Sequence, residues 1–383
     1  MPKFLLYLPF SDFKDYYENK ALGLIPMSFL NNNCDVVLIV GKMNSNNLKI
    51  KIYETNNLDT EFFRNWNKVD SLTKLFYYKI RNLLVFNEIF SVFNILKKEK
   101  PDYLMAFNNS ILTHFIILLY SFYSKIHKIK TRKILKLDSD GSSFKDSKKY
   151  VKIIISFFYG FISMLYDKII VETSCGYNIF KTIPLFGKKL EIVPNSISNE
   201  YMNNYPEIKR EKTIITVSRI NKIKGIDILI NSFIEVYKKN PEYNLKIIGP
   251  IEDNDYYNEL LEIINKNSLD DKIIFSGLIN REELIEIYKK ASIFCLFSKF
   301  ESFAISRLEA IAMGLYVITS EAGCSEDFKR YNVKIVPLND LNSSINSINE
   351  AINEIENGYN FTHKKIVSYD DVAKMILNDN FYS

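Results

Sequence analysis

The stretch SIFCLFSKFESFAISRLEAIAMGLYVITS, residues 292–320, contains a complete strand–helix–strand pattern. Apolar runs, SIFCLF and YVITS, stand at its two ends, and the segment between them has the length and spacing of an amphipathic helix. This order is typical of a parallel sheet with helical crossovers. Eight helical residues would leave the side chains of Glu301 and Glu309 about 80° apart. We therefore place Glu301 in the loop before the helix and Glu309 on the helix.

The same alternation of short apolar runs and amphipathic segments extends over nearly the whole chain. Twelve runs predict strands: KFLLYLP, DVVLIV, DYLMAF, KILKLD, KIIVET and LEIVPN, then TIITVS, LKIIG, KIIFSG, SIFCLF, YVITS and VKIVPL. The polar segment SISNEYMNNYPEIKREK separates the two sets, and 383 residues exceed one ordinary domain. We predict doubly wound, Rossmann-like parallel-sheet domains over 1–205 and 206–366, with a C-terminal helix in 367–383 that packs back on the first.

Composition indicates a globular protein, because the chain is 47% hydrophobic and contains 28 Phe and 25 Tyr. Its four cysteines form no CxxC pair, and with three histidines no zinc-ligand spacing can be built. This favours a reduced, cytoplasmic compartment. The first ten residues lack a cleavage site and predict a strand rather than a signal peptide. No apolar stretch reaches the roughly 18 to 20 residues of a transmembrane helix.

Positive charge is concentrated in the first half of the chain. Residues 1–205 contain 28 Lys and Arg against 18 Asp and Glu, or +10, whereas the remainder contains 22 against 27, or −5. Between Lys97 and Lys152, 13 basic and 5 acidic residues are interleaved with apolar runs at 110–124 and 153–166. This pattern fits a solvated basic face or peripheral contact with an anionic membrane through residues 97–152. No recognised motif supports a nucleic-acid partner.

Charged residues follow strands of the second half, where ligands of open parallel sheets bind. Arg219 and Lys224 lie between a strand and a helix that starts near Gly225, and two such cations can hold a diphosphate. Glu301 and Glu309 could accept hydrogen bonds from sugar hydroxyls. Taken singly, the cations could also be solvated loop residues, and the glutamates could simply favour the start of a helix.

Taken together, these residues resemble the donor half of retaining glycosyltransferases of family 4, which have the GT-B fold. The elements occur in the family's order: Arg219-x4-Lys224-Gly225, Gly249, Glu301-x7-Glu309-Ala310 with Gly314, and Gly323 with Glu326. VPNSI, residues 193–197, is similar to an IPNG element of that family, and YDDVAKMIL to its C-terminal crossover helix. The resemblance spans most of 165–380. It implies two domains that face a central cleft, with the donor bound by the second and the acceptor by the first.

The resemblance also implies roles for individual residues. Glu309 would bond the ribose of a nucleotide-diphosphate sugar and Glu301 a hydroxyl of the donor sugar, while Arg219 and Lys224 would neutralise the departing diphosphate. The implied donor-binding set is Arg219, Lys224, Gly249, Glu301, Ser302, Phe303, Ala304, Ile305 and Glu309. No metal and no other cofactor are implied. The family usually has glycines where Ser302 and Ala304 stand, so sugar choice or turnover could differ here.

The acceptor side departs further from the family, which often has a histidine at a strand end. His114 lies in an apolar helical run and is expected to be a core residue. ILKLDSDGSS instead places Asp138 and Asp140 at a strand end, where Asp138 could bond the acceptor hydroxyl or support positive charge at the anomeric carbon. A helix-capping turn and the Asp-x-Asp metal motif of GT-A enzymes remain alternatives. Gly23 is the one glycine available after the first strand.

These features predict a retaining hexosyltransferase that uses a nucleotide-diphosphate sugar and a hydroxyl of a glycan or lipid-linked glycan in polysaccharide or glycoconjugate biosynthesis. We expect it in the cytoplasm, either free or peripheral at the inner face of the cell membrane. The alternative is a catalytically degenerate, sugar-nucleotide-binding subunit that partners an active glycosyltransferase. A Rossmann dehydrogenase is disfavoured because the sequence contains no GxGxxG.

Overall fold

The computed structural model describes residues 1–8, 12–13, 21–43, 48–55, 87–107, 110–139, 141–145, 147–203, 205 and 209–378. The chain divides into two compact units, the first formed by Met1–Asn195 with Tyr369–Ser383 and the second by Ser196–Ser368. Residues 196–205, which the sequence analysis included in the first domain, belong to the second unit. Pro206 lies outside the described residues.

The first unit is built on a seven-stranded parallel sheet. Its strands are β1 (Lys3–Tyr7), β3 (Asp35–Val40), β5 (Lys51–Glu54), β6 (Tyr103–Phe107), β7 (Arg132–Leu137), β8 (Lys168–Val171) and β9 (Leu190–Ile192), in the order β5-β3-β1-β6-β7-β8-β9. Two further short strands, β2 (Asp12–Phe13) and β4 (Lys42–Met43), pair with each other. The six predicted strands are confirmed. Sequence patterning missed the edge strand β5, whose KIYE is only partly buried.

Six of the described helices of this unit lie between consecutive strands along the chain. They are α1 (Ala21–Asn31), α2 (87–99), α3 (Ile111–Ile126), α4 (Ser142–Lys145), α5 (Lys149–Ser163) and α6 (Ser174–Phe180). The strand centres are buried, and β8 is buried along its whole length because helices cover the sheet.

The second unit contains a six-stranded parallel sheet. Its strands are β10 (Thr213–Val217), β11 (Asn244–Ile248), β12 (Ile273–Gly277), β13 (Ile293–Leu296), β14 (Tyr316–Ser320) and β15 (Lys334–Val336), in the order β12-β11-β10-β13-β14-β15. All six are the predicted runs. The order reverses between β10, which opens the sheet, and β13, and ligands of open α/β sheets bind at such a switch point.

Among the described residues of this unit, four α-helices connect these strands, α7 (Ile226–Tyr237), α8 (Asn254–Lys266), α9 (Arg281–Lys290) and α10 (Ile305–Ala312), and a fifth, α11 (Leu341–Glu356), follows β15. Three begin at side chains that cap the first turn. Asp253 accepts from the Tyr256 amide at 3.0 Å, and Asn280 from the Glu283 amide at 2.8 Å. Asp340 accepts from the Ser343 amide at 2.9 Å.

The terminal helix α12 (Tyr369–Leu377) belongs to the first unit. It packs on α1, where the Asn32 side-chain amide donates to the Asp370 carbonyl at 3.1 Å, and the Lys168 ammonium reaches the Met375 carbonyl at 3.3 Å. None of the described helices combines the length and the apolar character needed to span a bilayer.

Candidate active site

The centre of the candidate site is formed by two loops at the carboxyl edge of the second sheet. They follow β10 and β13, which are neighbouring strands. The Lys299 amide donates to the Ile223 carbonyl at 2.7 Å and ties the loops together. Gly225 makes this approach possible, since a Cβ there would lie 2.1 Å from the Phe297 carbonyl oxygen and its φ is +62°. The two loops are therefore in contact, although Lys224 in one and Glu301 in the other are 77 residues apart in the sequence.

Lys224 and Glu301 form an ion pair between these loops. Their Nζ and Oε1 atoms are 2.6 Å apart, and the side chains are only 12% and 11% exposed. The Ser298 hydroxyl donates to the same Oε1 at 2.7 Å. Removing one partner from such a buried pair leaves an uncompensated charge, so the pair fixes both side chains. The structure therefore joins two residues that the sequence analysis assigned separately to diphosphate and sugar.

A buried tyrosine donates a hydrogen bond to Glu309 and orients its carboxylate. The Tyr288 hydroxyl of α9 donates to Glu309 Oε2 at 3.1 Å and lies 3.2 Å from the Ser306 carbonyl. Burial, followed by the nearby Glu309 carboxylate, raises the pKa of Tyr288 well above its ordinary value, so the phenol keeps its proton. The ring of Tyr201 meets Tyr288 edge to face with centroids 5.7 Å apart. A carboxylate has about four acceptor sites, so Glu309 can accept a hydrogen bond from a ligand in addition to the one from Tyr288.

Helix α10 begins at Ala304, which has φ 62° and ψ 73°. A methyl side chain cannot cap a helix, so the first-turn amides starting at Ile305 receive no capping oxygen from the N-cap residue. Such amides, together with the helix dipole, attract anions. The left-handed backbone explains why a glycine would suit position 304, as the sequence comparison with family 4 suggested.

Arg219 pairs with a different carboxylate, that of Glu252. Its Nη1 is 2.9 and 3.1 Å from the two oxygens of Glu252, and the Asn221 amide donates to the same carboxylate at 2.9 Å. Arg219 is 58% exposed. An exposed pair of this kind contributes little to stability, so the guanidinium can exchange its carboxylate for another anion.

Arg307 is a fully buried residue that sequence reasoning missed. Its guanidinium donates to the carbonyls of Phe303 (2.8 Å), Gly323 (2.9 Å) and Ala322 (3.2 Å) and to the Ser325 hydroxyl (2.6 Å). Burial lowers its pKa to about 10, partly opposed by Glu301. These bonds join the loop that carries Glu301 to the loop after β14. The sequence signal for it was a cation between apolar residues of a short helix, in ISRLEAIA.

The other predicted donor-side residues surround this centre or lie near it. The Gly249 amide, directly after β11, donates to the Gly277 carbonyl at 2.9 Å. Ser302 precedes α10, and Phe303 is buried against Phe328 with ring centroids 5.4 Å apart. A Cβ at Gly323 would lie 2.6 Å from Glu301 Cβ, so this glycine lets the two loops touch. Gly314 follows α10, while Glu326 pairs with Lys329 at 2.7 Å on the surface.

On the first unit, Asp138 belongs to a charged cluster at the ends of β7 and β8. The buried Lys136 ammonium pairs with the carboxylates of Asp138 and Glu172, and the Asn195 side chain donates to Glu172. Burial raises the pKa of Glu172 to about 7, with Lys136 opposing the rise and Asp138 adding to it. Burial also acts on Asp138, but Lys136 outweighs it and the pKa is lowered. Asp138, 37% exposed, is the carboxylate of the cluster that solvent reaches.

The remaining acceptor-side predictions have different outcomes. Gly23 is a buried residue in the first turn of α1, and Asp140 lies outside the described residues. His114 is a core residue, as expected: its Nδ1 is 2.9 Å from the Tyr166 hydroxyl, and burial lowers its pKa to about 4. In the part of the chain that the structure describes, no three His, Cys, Asp or Glu side chains form a metal-binding group.

With this geometry in view, the second unit can be compared with known proteins. Residues 198–368 match the family described as "Glycosyl transferases group 1". The second unit belongs to this family. The matched range includes both loops, α10 and the Lys224–Glu301 pair, so the predicted relationship to group 1 glycosyltransferases is confirmed on the second unit.

Relatives by sequence carry glycosyltransferase or synthase names. The chain is 32% identical over 117 residues to a mannosylfructose-phosphate synthase of Agrobacterium fabrum, which covers 29% of this chain and 26% of that protein. It is 33% identical over 108 residues to an alpha-monoglucosyldiacylglycerol synthase of Streptococcus pneumoniae, and this alignment covers 28% of this chain and 24% of that protein. An uncharacterized glycosyltransferase of Methanocaldococcus jannaschii is 27% identical over 71% of this chain and 70% of its own. The first two alignments thus span only about a quarter of those relatives.

Solved glycosyltransferase structures confirm the fold. HepE of Anabaena, in complex with UDP and glucose, superposes with a TM-score of 0.64 at 14% identity, covering 98% of this chain and 94% of its own. A sucrose-phosphate synthase from Thermosynechococcus elongatus gives 0.65 at 13% identity over the same shares. The GT-B architecture of two parallel-sheet α/β domains, predicted from sequence, is therefore correct.

Proposed function

We propose that this group 1 glycosyltransferase transfers a hexose from a nucleotide-diphosphate sugar to a hydroxyl of a glycan or lipid-linked glycan, with retention of anomeric configuration. The observation that carries the proposal is the nearly buried Lys224–Glu301 pair, 2.6 Å long, at the carboxyl edge of the second sheet. It sets a diphosphate-binding cation beside a sugar-binding carboxylate, which is the combination that a nucleotide-diphosphate sugar requires.

The proposed donor contacts follow from the charges and hydrogen-bonding capacity of each group. Lys224, Arg219 and the first-turn amides of α10 stabilise the diphosphate as negative charge grows on it. Glu301 accepts from a sugar hydroxyl, and Glu309, oriented by Tyr288, accepts from the ribose. HepE, which shares the fold, was solved with UDP and glucose, so UDP-sugars are the first donors to test.

On the first unit, Asp138 is the proposed acceptor-side group. Its carboxylate is ionised and partly exposed, so it can accept a hydrogen bond from the attacking hydroxyl or stabilise positive charge at the anomeric carbon. Lys136 keeps it in that state and position. The acceptor class is proposed from the names of relatives, among them a diacylglycerol-linked sugar synthase. The proposed location is the cytoplasm, with contact at the membrane argued in the next subsection.

We further propose that transfer needs no metal ion. A GT-A-type reaction uses a divalent cation to neutralise the leaving diphosphate, whereas here two cations and a helix start are available for that charge. Turnover should therefore persist in excess EDTA. Loss of turnover in EDTA with recovery on added Mg²⁺ or Mn²⁺ would refute this part of the proposal.

The decisive experiment measures binding and slow hydrolysis of UDP-, GDP-, ADP- and dTDP-sugars by the purified chain. Lys224→Met should weaken the binding of both the free nucleotide diphosphate and the nucleotide sugar, because it removes a positive charge that faces the diphosphate. Glu301→Gln should weaken the nucleotide sugar at least tenfold relative to the free nucleotide, about one charge-assisted hydrogen bond. The free nucleotide should bind at least as tightly as before, because Lys224 no longer has to leave a carboxylate to reach the diphosphate. Lys222→Met, an exposed lysine two residues away that pairs with Glu259, is the matched control.

Equal losses for nucleotide and nucleotide sugar in Glu301→Gln would contradict its assignment to the sugar. Binding without any hydrolysis or transfer would instead favour the degenerate partner subunit. Product stereochemistry, followed by NMR of the anomeric proton, tests retention separately.

A further inference from the structure

Two neighbouring helices of the first unit expose rows of large apolar side chains. On α5 the row runs through Tyr150, Ile153, Ile154, Phe157, Phe161 and Met164. The spacings of three, four and seven residues place these side chains on one helical face. Phe157, at the centre, is 83% exposed. The solvent-facing side of a surface helix is normally polar, so this row of exposed apolar side chains indicates a binding partner.

A second row lies on α3 and consists of Ile111, Phe115, Phe122 and Ile126. The two helices are adjacent, since the rings of His114 on α3 and Phe158 on α5 meet with centroids 6.1 Å apart. Their inner faces pack together in the core of the unit, where Leu118, Leu119 and Tyr159 also lie. The outer faces of α3 and α5 therefore form one surface, here called the α3–α5 face.

Positive charge borders this face. Lys148, Lys149 and Lys152 lie at the start of α5, and Lys125 and Lys128 at the end of α3. The sequences of both helices, ILTHFIILLYSFYSKI and KYVKIIISFFYGFIS, contain no Asp or Glu. Apolar side chains bordered by lysines match a surface whose interior is hydrocarbon and whose headgroups are anionic.

We propose that the α3–α5 face docks on an anionic lipid bilayer, with both helices lying along the surface. At 15 and 16 residues the helices are about 22 to 24 Å long, too short to cross about 30 Å of hydrocarbon. A second copy of the chain fits less well, because a two-fold contact would set two lysine-bordered faces together and neither helix has an Asp or Glu to pair with those lysines. The inference rests on the proposed function only for its purpose, which is to hold the enzyme beside a lipid-linked acceptor.

The test is flotation of the full chain with phosphatidylcholine vesicles that contain either no anionic lipid or about one-third phosphatidylglycerol. Binding should require phosphatidylglycerol and should be lost near 1 M salt, where the screening length falls to about 3 Å. Lys148→Glu with Lys149→Glu should weaken binding by about 25-fold, at about fivefold per lysine. Ile154→Ser with Phe157→Ser should weaken it by about tenfold or more.

Matched controls lie on the second unit. Leu278→Ser alters a side chain that is 67% exposed, and Lys238→Glu with Lys239→Glu makes the same charge change on exposed lysines. These controls should bind vesicles like the unaltered chain. All variants are at exposed positions, and circular dichroism melts establish that they remain folded.

Three outcomes would overturn the inference. They are absence of vesicle binding, equal binding to neutral and anionic vesicles, and equal loss in the face and control variants. Light scattering identifies the competing occupant: a dimer that Ile154→Ser with Phe157→Ser dissociates, without vesicle binding, assigns the face to a second copy. Donor binding is measured in parallel without vesicles. Its loss refutes the proposed function, whereas loss of vesicle binding alone refutes only the membrane contact.

Discussion

Replacing Ala304 by glycine tests whether the start of α10 is strained. Ala304 has φ 62° and ψ 73°, in the left-handed region where an L-residue with a Cβ is disfavoured by about 1 to 2 kcal/mol. Glycine removes this cost. It also frees the unfolded backbone, at about 0.5 to 1 kcal/mol, and deletes a buried methyl group worth about 0.8 kcal/mol. The opposing effects nearly cancel, so Ala304→Gly should change the free energy of unfolding by less than about 1 kcal/mol.

The same substitution six residues later gives the contrast. Ala310 lies inside the same helix and is fully buried, so Ala310→Gly has the two costs and no relief of strain. It should destabilise the chain by about 1.3 to 1.8 kcal/mol. At about 2 to 4 °C per kcal/mol for a unit of this size, the expected fall in melting temperature is about 3 to 7 °C, against about 3 °C or less for Ala304→Gly.

The measurement is thermal unfolding of both variants, followed by far-ultraviolet circular dichroism with and without UDP. UDP reports which transition belongs to the nucleotide-binding unit. If Ala304→Gly lowers the melting temperature as much as Ala310→Gly, the left-handed backbone at 304 is not a source of strain. The explanation of why family 4 members place glycine there would then be wrong.

Three further predictions concern other residues of the two units. Glu309→Gln should weaken nucleotide-sugar binding about 10- to 100-fold in calorimetric titration, whereas Tyr288→Phe, which removes only the orienting hydroxyl, should cost about fivefold or less; the reverse order would refute the assignment. Because burial, reinforced by Asp138, raises the pKa of Glu172 from 4.5 to about 7, the folded chain holds a proton there that the unfolded chain releases. The free energy of unfolding should therefore fall as pH rises from about 4.5 to 7, by up to about 1.4 kcal/mol per unit; Glu172→Gln should flatten this slope in urea unfolding and the exposed Glu54→Gln should not. Arg307→Met should cost about 3 to 5 kcal/mol of unfolding free energy, since it strands buried carbonyls, and the exposed Arg330→Met less than about 0.5 kcal/mol; equal effects would contradict a structural role for Arg307.

Strands buried on both faces were the easiest elements to predict. Runs such as DVVLIV and YVITS are mostly apolar, without a polar alternation, because helices cover both sides of a parallel sheet. β5 was missed for the opposite reason: at the sheet edge its KIYE has only partly buried apolar residues, and such a run is common in loops. Helix α5 gave an ambiguous signal, since apolar residues on two faces of a helix do not say which face meets the core.

Positions at strand ends were predictable, but partners were not. Lys224 and Glu301 follow predicted strands, so their proximity follows once β10 and β13 are neighbours. Arg219 and Glu252 are 33 residues apart in the sequence, and their pairing depends on where the fold places the two side chains. Lys136 lies in the strand KILKLD among apolar residues, and nothing in that run indicates that its ammonium turns toward Glu172. Such contacts depend on side-chain geometry, which periodicity does not encode.

The three cations of the donor side differ in what a ligand could displace. Arg307 is surrounded by carbonyls and a hydroxyl that are fixed in the fold, so its charge holds loops in place and is not available to a substrate. Arg219 and Lys224 instead face single carboxylates, Glu252 and Glu301. A diphosphate that takes either cation leaves a carboxylate without its counter-charge, which is costly at the nearly buried Glu301. A sugar hydroxyl compensates that loss by donating to Glu301, so the pair favours an intact nucleotide sugar over the free nucleotide.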